Sequence, residues 1–175
     1  MSLKDLTKEK HTAAEATPFM KALFKKTLPI ELWKDFTYQK SVFYKALETK
    51  ARRANLLGGL EGIERAPLLL EDSRNMPGKY VSVRLHTDLY TQYIESLIES
   101  NKIMAHLYVW HMGDLFGGQM IKKIVEAPST ALDFEDVDTL KNVFYSKIDE
   151  DMAEEANVAF DWAIKILGEY DSELV

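Results

Sequence analysis

The sequence predicts an all-α protein folded as a single-domain helical bundle. Three observations carry that expectation. Apolar residues recur at helical spacing nearly throughout the chain. No convincing strand, internal repeat or low-complexity tract interrupts the pattern. Start signals built on Ser, Thr and Pro, and stops built on Gly and Pro, cut the pattern into helix-length pieces. At 175 residues the chain is the size of one domain, read here as 1–175. A domain of this size hides roughly 70% of the surface of its unfolded chain, so it builds a core without staples.

The elements follow in order. Ser2-Leu-Lys-Asp5 fits a capping box and opens a helix to about Ala16. Thr17-Pro18 reads as N-cap and first helical residue of a short helix to about Lys26. Pro29 repeats the signal for a long helix to about Asn55, with Leu32, Phe36, Phe43, Ala46 and Leu47 near one face. Residues 56–80 contain Gly58, Gly59, Gly62, Pro67, Pro77 and Gly78 and read mostly as loop, with room for a turn at Ala66–Glu71. Helical pattern resumes over His86–Glu99 and over Lys102–Glu126, the latter interrupted by Gly113, Gly117 and Gly118 and stopped by Pro128. Two more helices follow, about Phe134–Lys147 and Asp151–Tyr170.

Composition removes whole classes of chemistry. There is no Cys, which excludes disulfides, iron–sulfur clusters, thiolate zinc and a cysteine nucleophile. A carboxylate-bridged di-iron bundle needs Glu-x-x-His pairs, but Lys8, Val83, Ile103 and Tyr108 stand three residues before the four His. No His-Glu-x-x-His or phosphate-loop motif occurs, and no strand precedes Gly58-Gly-Leu-Glu-Gly62 as a dinucleotide fingerprint requires. The net charge of −6 argues against nucleic acid as a partner. That average conceals a gradient: residues 1–53 hold 12 Lys/Arg against 6 Asp/Glu, and residues 132–175 hold 3 against 13. A basic face of this kind suits an anionic ligand or an acidic protein, although solvated charges also segregate without purpose. No apolar run approaches the roughly 20 residues of a membrane span, and the start lacks a secretory core, so a cytoplasmic protein without a membrane anchor is expected.

Two constellations survive. On the first helix Leu3, Leu6 and Ala14 define an apolar stripe, and His11 lies at its edge with Lys4 and Glu15 near the same azimuth. Glu15, one turn on, is placed to accept from the second ring nitrogen of His11 and fix the tautomer of a metal-ligating imidazole. A lone His at a helix edge is more often a solvated residue. The second constellation is Gly113-Asp-Leu-Phe-Gly-Gly118 inside a helical segment. Each Gly costs about 1 kcal/mol relative to Ala there. Three in six residues mean either a break between two helices or close approach of backbone to a flat ligand. Asp114 would then be a carboxylate among Leu107, Trp110, Met112, Phe116 and Ile121.

Together, Lys8-Glu-Lys-His-Thr-Ala-Ala-Glu15 with Pro18-Phe-Met20, and Ala105-His-Leu-Tyr-Val-Trp-His-Met-Gly-Asp-Leu-Phe-Gly-Gly-Gln-Met-Ile-Lys-Lys-Ile124, resemble the proximal and distal helix segments of the heme oxygenase family. The resemblance covers about residues 3–170. It implies heme b as both substrate and cofactor, with the iron ligated by His11 and Glu15 supporting it. It implies that Gly113 and Gly117, with Gly118 beside them, lie over the distal heme face and that Asp114 organises distal water. Tyr44 and Tyr108 match pocket tyrosines, and Lys4 and Lys141 match positions facing heme propionates. The implied reaction uses O2 and opens heme to biliverdin, releasing iron and carbon monoxide.

Three positions depart from the family pattern. Phe116 replaces a distal Ser, Trp110 replaces an Arg near the distal network, and Tyr145 stands where relatives place an Arg towards a propionate, so that either Lys147 substitutes or the anchor is weaker. These departures bear on regiochemistry and heme orientation. No hydrophobic tail follows Val175, which resembles bacterial, cyanobacterial or phage-borne members, the last acting in a host-cell cytoplasm. For such members the implied electron donor is an acidic ferredoxin, suited to the basic N-terminal third, and a bilin reductase is a possible downstream partner. The competing expectation is a heme carrier or sensor without turnover. A thiamin-degrading relative of the fold would need the Cys this chain lacks.

Overall fold

A computed structural model describes residues 1–174, and among these no residue lies in a strand. Helix α1 (Leu3–Glu15) starts at the expected capping box: the Ser2 hydroxyl accepts from the Asp5 amide at 3.2 Å, and the Asp5 carboxylate accepts from the Ser2 amide at 3.1 Å. Helix α2 (Pro18–Phe24) is capped by the Thr17 hydroxyl, which accepts from the Met20 amide at 3.4 Å. The long helix α3 (Ile30–Arg53) ends two residues earlier than its pattern predicts. Asn55 takes a left-handed backbone (φ 58°), the conformation an Asn tolerates better than most residues when it terminates a helix.

Helix α4 (Ala66–Asn75) is a full helix where the sequence predicts mostly loop and a single turn. The reason lies on α3. Glu48 sends its carboxylate to the exposed start of α4 and accepts from the amides of Arg65 at 2.7 Å and Ala66 at 3.0 Å. A distant carboxylate thus does the work of an N-cap and complements the helix dipole. Helix α5 (Leu85–Ser96) and helix α6 (Ser100–Leu107) follow, and α6 does not stop at the glycines. It widens into one π turn (Tyr108–Met112) and continues as α7 (Gly113–Ile124). The expected interruption is therefore a change of helical pitch just before Gly113. Helix α8 (Val137–Lys147) begins after Phe134, because the Asp136 side chain caps it. Helix α9 (Ala153–Gly168) carries a 3-10 turn on each side, Glu150–Met152 and Asp171–Glu173.

Helix α3 packs against α4, α5 and α6, and α9 packs against α1, α5 and α6. Leu32, Phe36, Phe43 and Leu47 are buried as their spacing predicts, whereas Ala46 is half-buried at the margin. Burying each such large side chain is worth about 1.5–3 kcal/mol. A 3-10 turn (Thr130–Leu132) backs α7, and Asp72 of α4 pins it by accepting from the amides of Thr130 at 3.0 Å and Ala131 at 2.9 Å. Among the described residues, no helix is long and apolar enough to cross a membrane. No cluster of three or more His, Asp and Glu is placed to hold a metal ion among them either.

Candidate active site

The two sequence constellations line the same cleft, of about 200 Å³. Helix α1 contributes His11, Ala14 and Glu15, the π turn contributes Trp110, and α7 contributes Gly113, Asp114 and Gly117. Phe36 and Lys40 of α3 and Phe160 of α9 complete the wall, while the exposed Phe24 and Met120 form an apolar rim. A larger cavity of about 350 Å³ shares Leu23 and Trp33 with this cleft but contains none of the expected site residues.

On the α1 side, His11 Nε2 lies 3.0 Å from Glu15 Oε1, and both side chains are about half exposed. The imidazole meets the Phe160 ring edge-on at 5.6 Å. One ring nitrogen is thus held by a carboxylate, which leaves the other with a lone pair for a ligand. The held nitrogen is Nε2, so ligation through Nε2 requires the ring to turn over about its Cβ–Cγ axis. Its exposure permits that.

On the α7 side, a Cβ added at Gly113 or Gly117 would meet no atom within 4 Å beyond the adjoining backbone of its own helix, among the described residues. These glycines present bare backbone to open space. Gly118 does not: its Cβ would come within 3.0 Å of Leu132, so its small size serves the packing of α7 on the 3-10 turn. Gly118 packs against Leu132 and does not line the cleft.

Asp114 is not a solitary carboxylate. Its Oδ2 accepts from the Tyr44 hydroxyl at 2.7 Å and its Oδ1 from the Lys40 ammonium at 3.0 Å. Burial first, and then the neighbouring carboxylate, push the Tyr44 phenol well above its ordinary range, so it remains a neutral donor. Each oxygen of Asp114 retains a second lone pair for water. Tyr44 in turn stacks on His111 with ring centroids 4.3 Å apart. His111 Nε2 lies 2.7 Å from Glu48, the same carboxylate that caps α4.

Trp110 forms part of the cleft wall and donates its indole N–H to Tyr90 at 2.9 Å. Behind it, the Tyr90 hydroxyl and His106 Nδ1 are 2.6 Å apart, and His106 Nε2 lies 3.0 Å from Glu155. Trp110 therefore seals a buried polar network, where the family pattern places an Arg.

Besides Gly118 and the fully buried Tyr44, which reaches the cleft only through Asp114, the expected residues Lys4, Tyr108, Lys141 and Tyr145 stand away from the cleft lining. Tyr108 faces Thr7 and Tyr145, and partial burial raises its phenol. Lys141 places its ammonium 4.3 Å from the centre of the Phe116 ring, and Phe116 meets Tyr145 edge-on at 6.0 Å. Lys4 is exposed on α1, two turns before His11. Phe116, Lys141 and Tyr145 thus form one cluster on the flank of α7, with Phe116 and Tyr145 half exposed.

Sequence reasoning missed Lys40, His111 and Glu48. For Lys40 a signal existed: Phe36, Lys40 and Tyr44 recur at i, i+4 and i+8, which puts a cation in line with two aromatic core residues. For the His111–Glu48 pair there was none, because their partnership spans two helices.

A family model for heme oxygenase matches residues 1–169. Heme oxygenase 2 of Oryctolagus cuniculus is 30% identical over 203 residues, covering 97% of this chain and 65% of the relative. Heme oxygenase 1 of Gallus gallus is 33% identical over 145 residues, covering 73% of this chain and 49% of the relative. The chain thus spans no more than 65% of the length of these two relatives. Among solved structures, heme oxygenase from Leptospira interrogans superimposes with a TM-score of 0.86 at 22% identity, over 97% of this chain and 100% of that one. Heme oxygenase-1 from the cyanobacterium Synechocystis, in complex with heme, gives a TM-score of 0.85 at 22% identity, over 98% and 91%. The fold agrees along nearly its whole length, and the family model covers both constellations; the chain belongs to the heme oxygenase family.

Proposed function

We propose that the chain, as one heme oxygenase domain, opens heme to biliverdin with release of iron and carbon monoxide, using O2 and electrons from ferredoxin. The observation that carries this reading is the shared cleft: an imidazole held by a carboxylate on α1, and bare glycine backbone beside a carboxylate on α7. These residues fit a flat iron macrocycle. A lone pair of His11 would hold the iron, the open space at Gly113 and Gly117 would admit a planar ring, and the exposed Phe24 and Met120 would be covered by it.

Bound heme supplies the iron that activates O2 and the ring carbon that is oxidised. His11 would hold it, and Glu15 accepts the ring N–H so that the imidazole stays oriented. Gly113 and Gly117 let the helix backbone approach closely. Asp114, fixed by Tyr44 and Lys40, offers its remaining lone pairs to water, through which a proton can be delivered. Trp110 and Phe36 keep bulk water from that side. Lys4, Lys141 and Tyr145 are proposed at the heme edge, towards the propionates.

Electron delivery is assigned to the basic N-terminal face. Lys8, Lys21, Lys25 and Lys26 are exposed there, and Lys10 is paired with Asp161 at 2.8 Å. A small acidic ferredoxin matches that charge. The proposed setting is the cytoplasm, with a bilin reductase as consumer of the product.

The test is aerobic incubation with heme, ferredoxin, its reductase and NADPH. Loss of the Soret band with appearance of a bilin is the expected outcome. A Soret band that persists under reduction would instead identify a heme carrier or sensor.

A further inference from the structure

Lysine is almost never buried unless it is paired, and the wall of a ligand cleft is an expensive place for one. Lys40 is 8% exposed, and among the described residues it is the only Lys or Arg that lines the cleft. Its ammonium lies 3.0 Å from Asp114 Oδ1, 5.1 Å from the centre of the Tyr44 ring and 5.9 Å from that of Phe36. An ammonium has three N–H donors. Asp114 takes one, and the remaining two have no hydrogen-bond partner among the described residues.

Packing does not account for this arrangement. A buried ion pair is commonly no more stabilising than two well-packed apolar side chains of similar volume. An apolar residue between Phe36 and Tyr44 would continue the core stripe of α3 without burying a charge. What the cation adds is local and electrostatic. It fixes one oxygen of Asp114 while Tyr44 fixes the other, and it brings a positive charge with two free donors to the wall that also carries Gly113.

We propose that Lys40 is a positioning residue of the reaction: it holds Asp114 at the cleft and turns its free donors towards an anionic ligand bound there. The functional unit on this wall is then Lys40–Asp114–Tyr44. This rests on the reading that heme occupies the cleft. In that setting Lys40 favours negative charge on the ligand side of the heme, and Asp114 opposes it.

Azide, an anion, and imidazole, a neutral ligand, separate this role from a structural one. The affinities of both for the ferric heme complex are measured by spectral titration in wild type, Lys40→Met, Lys40→Arg and Asp114→Asn. Removing a unit charge several ångströms away, at an effective dielectric near 20, is expected to weaken azide by about tenfold or more. Imidazole should change by less than about threefold on the same argument, since it carries no charge. Lys40→Arg should keep azide affinity near the wild-type value, and Asp114→Asn should tighten it. If Lys40→Met fails to fold, Lys40→Gln, which keeps a donor without the charge, carries the same comparison. Equal shifts for azide and imidazole in the uncharged variant would overturn the role of Lys40 while leaving the heme reading intact. A wild-type chain that gives no Soret band on heme addition would overturn both.

Discussion

The α1 and α7 sides of the cleft are built by different means. On α1 the pair is local: His11 and Glu15 are one turn apart on a capped helix, about half exposed, and among the described residues no other element holds their polar ends. On α7, Asp114 depends on α3, where Lys40 and Tyr44 are 74 and 70 residues away in sequence, and Tyr44 rests on a buried His111–Glu48 pair. The α1 side can turn its imidazole without disturbing the core. The α7 side cannot lose a member without leaving a buried polar group unpaired. The proposed function assigns ligand capture to the adaptable side and control of water to the rigid one.

The largest expected effect tests the rigid side. Glu48→Ala leaves His111 and the two amides of α4 without their shared acceptor, in a pair whose side chains are 3% and 0% exposed. Breaking a buried pair by removing one partner costs about 3–5 kcal/mol, to be read from urea unfolding. A loss below about 1 kcal/mol would mean that this wall is softer than its hydrogen bonds imply.

A paired experiment sharpens the contrast. Tyr44→Phe removes a charge-assisted bond to Asp114 and should lower stability by about 1–3 kcal/mol. Glu15→Gln, on the solvent side, should change stability by less than about 0.5 kcal/mol, yet weaken heme binding by about tenfold or more through loss of imidazole orientation. If the two variants affected stability alike, the division between the sides would fail.

Acid provides a third test, again of the interior. Burial alone would raise Glu155, but hydrogen bonds from His106 and Tyr93 outweigh burial and hold it below its ordinary 4.5. The native state therefore binds fewer protons than the unfolded chain at mildly acidic pH. The stability contributed is fully present above about pH 4.5 and is lost as pH falls through the lower folded value. The urea midpoint of Glu155→Gln should accordingly fall less steeply from pH 6 to pH 3 than that of the wild type.

The smallest effect has the opposite sign. Gly113→Ala adds a methyl group into open space within a helix, which should stabilise the ligand-free protein by about 0.5–1 kcal/mol. The same methyl occupies space assigned to heme, so heme affinity should fall. Thermal unfolding and a Soret titration of one variant check both halves.

These differences also explain what the sequence could disclose. The α1 pair was legible because helical spacing alone puts residues 11 and 15 on one face, and the capping box fixes where the helix starts. The glycine tract was legible as an anomaly, but its resolution was not: a π turn over Tyr108–Met112 carries the helix through without a break, and Gly118 faces Leu132. Helix α4 was underestimated because its cap comes from Glu48, outside any local pattern. The same blindness hid Lys40 as the partner of Asp114, since periodicity identifies the face of a helix and not what lies opposite it.

The central claim is that α1 holds the heme and Asp114, on α7, governs its turnover. The most direct measurement is bilin formed in a single turnover of the heme complex of Asp114→Ala, alongside the wild type and after each is shown by its Soret band to be loaded. With positioned proton delivery worth about 100-fold or more, the variant should bind heme as the wild type does and yield almost no bilin in the time the wild type completes the reaction. Bilin formation at the wild-type rate in Asp114→Ala would contradict the account.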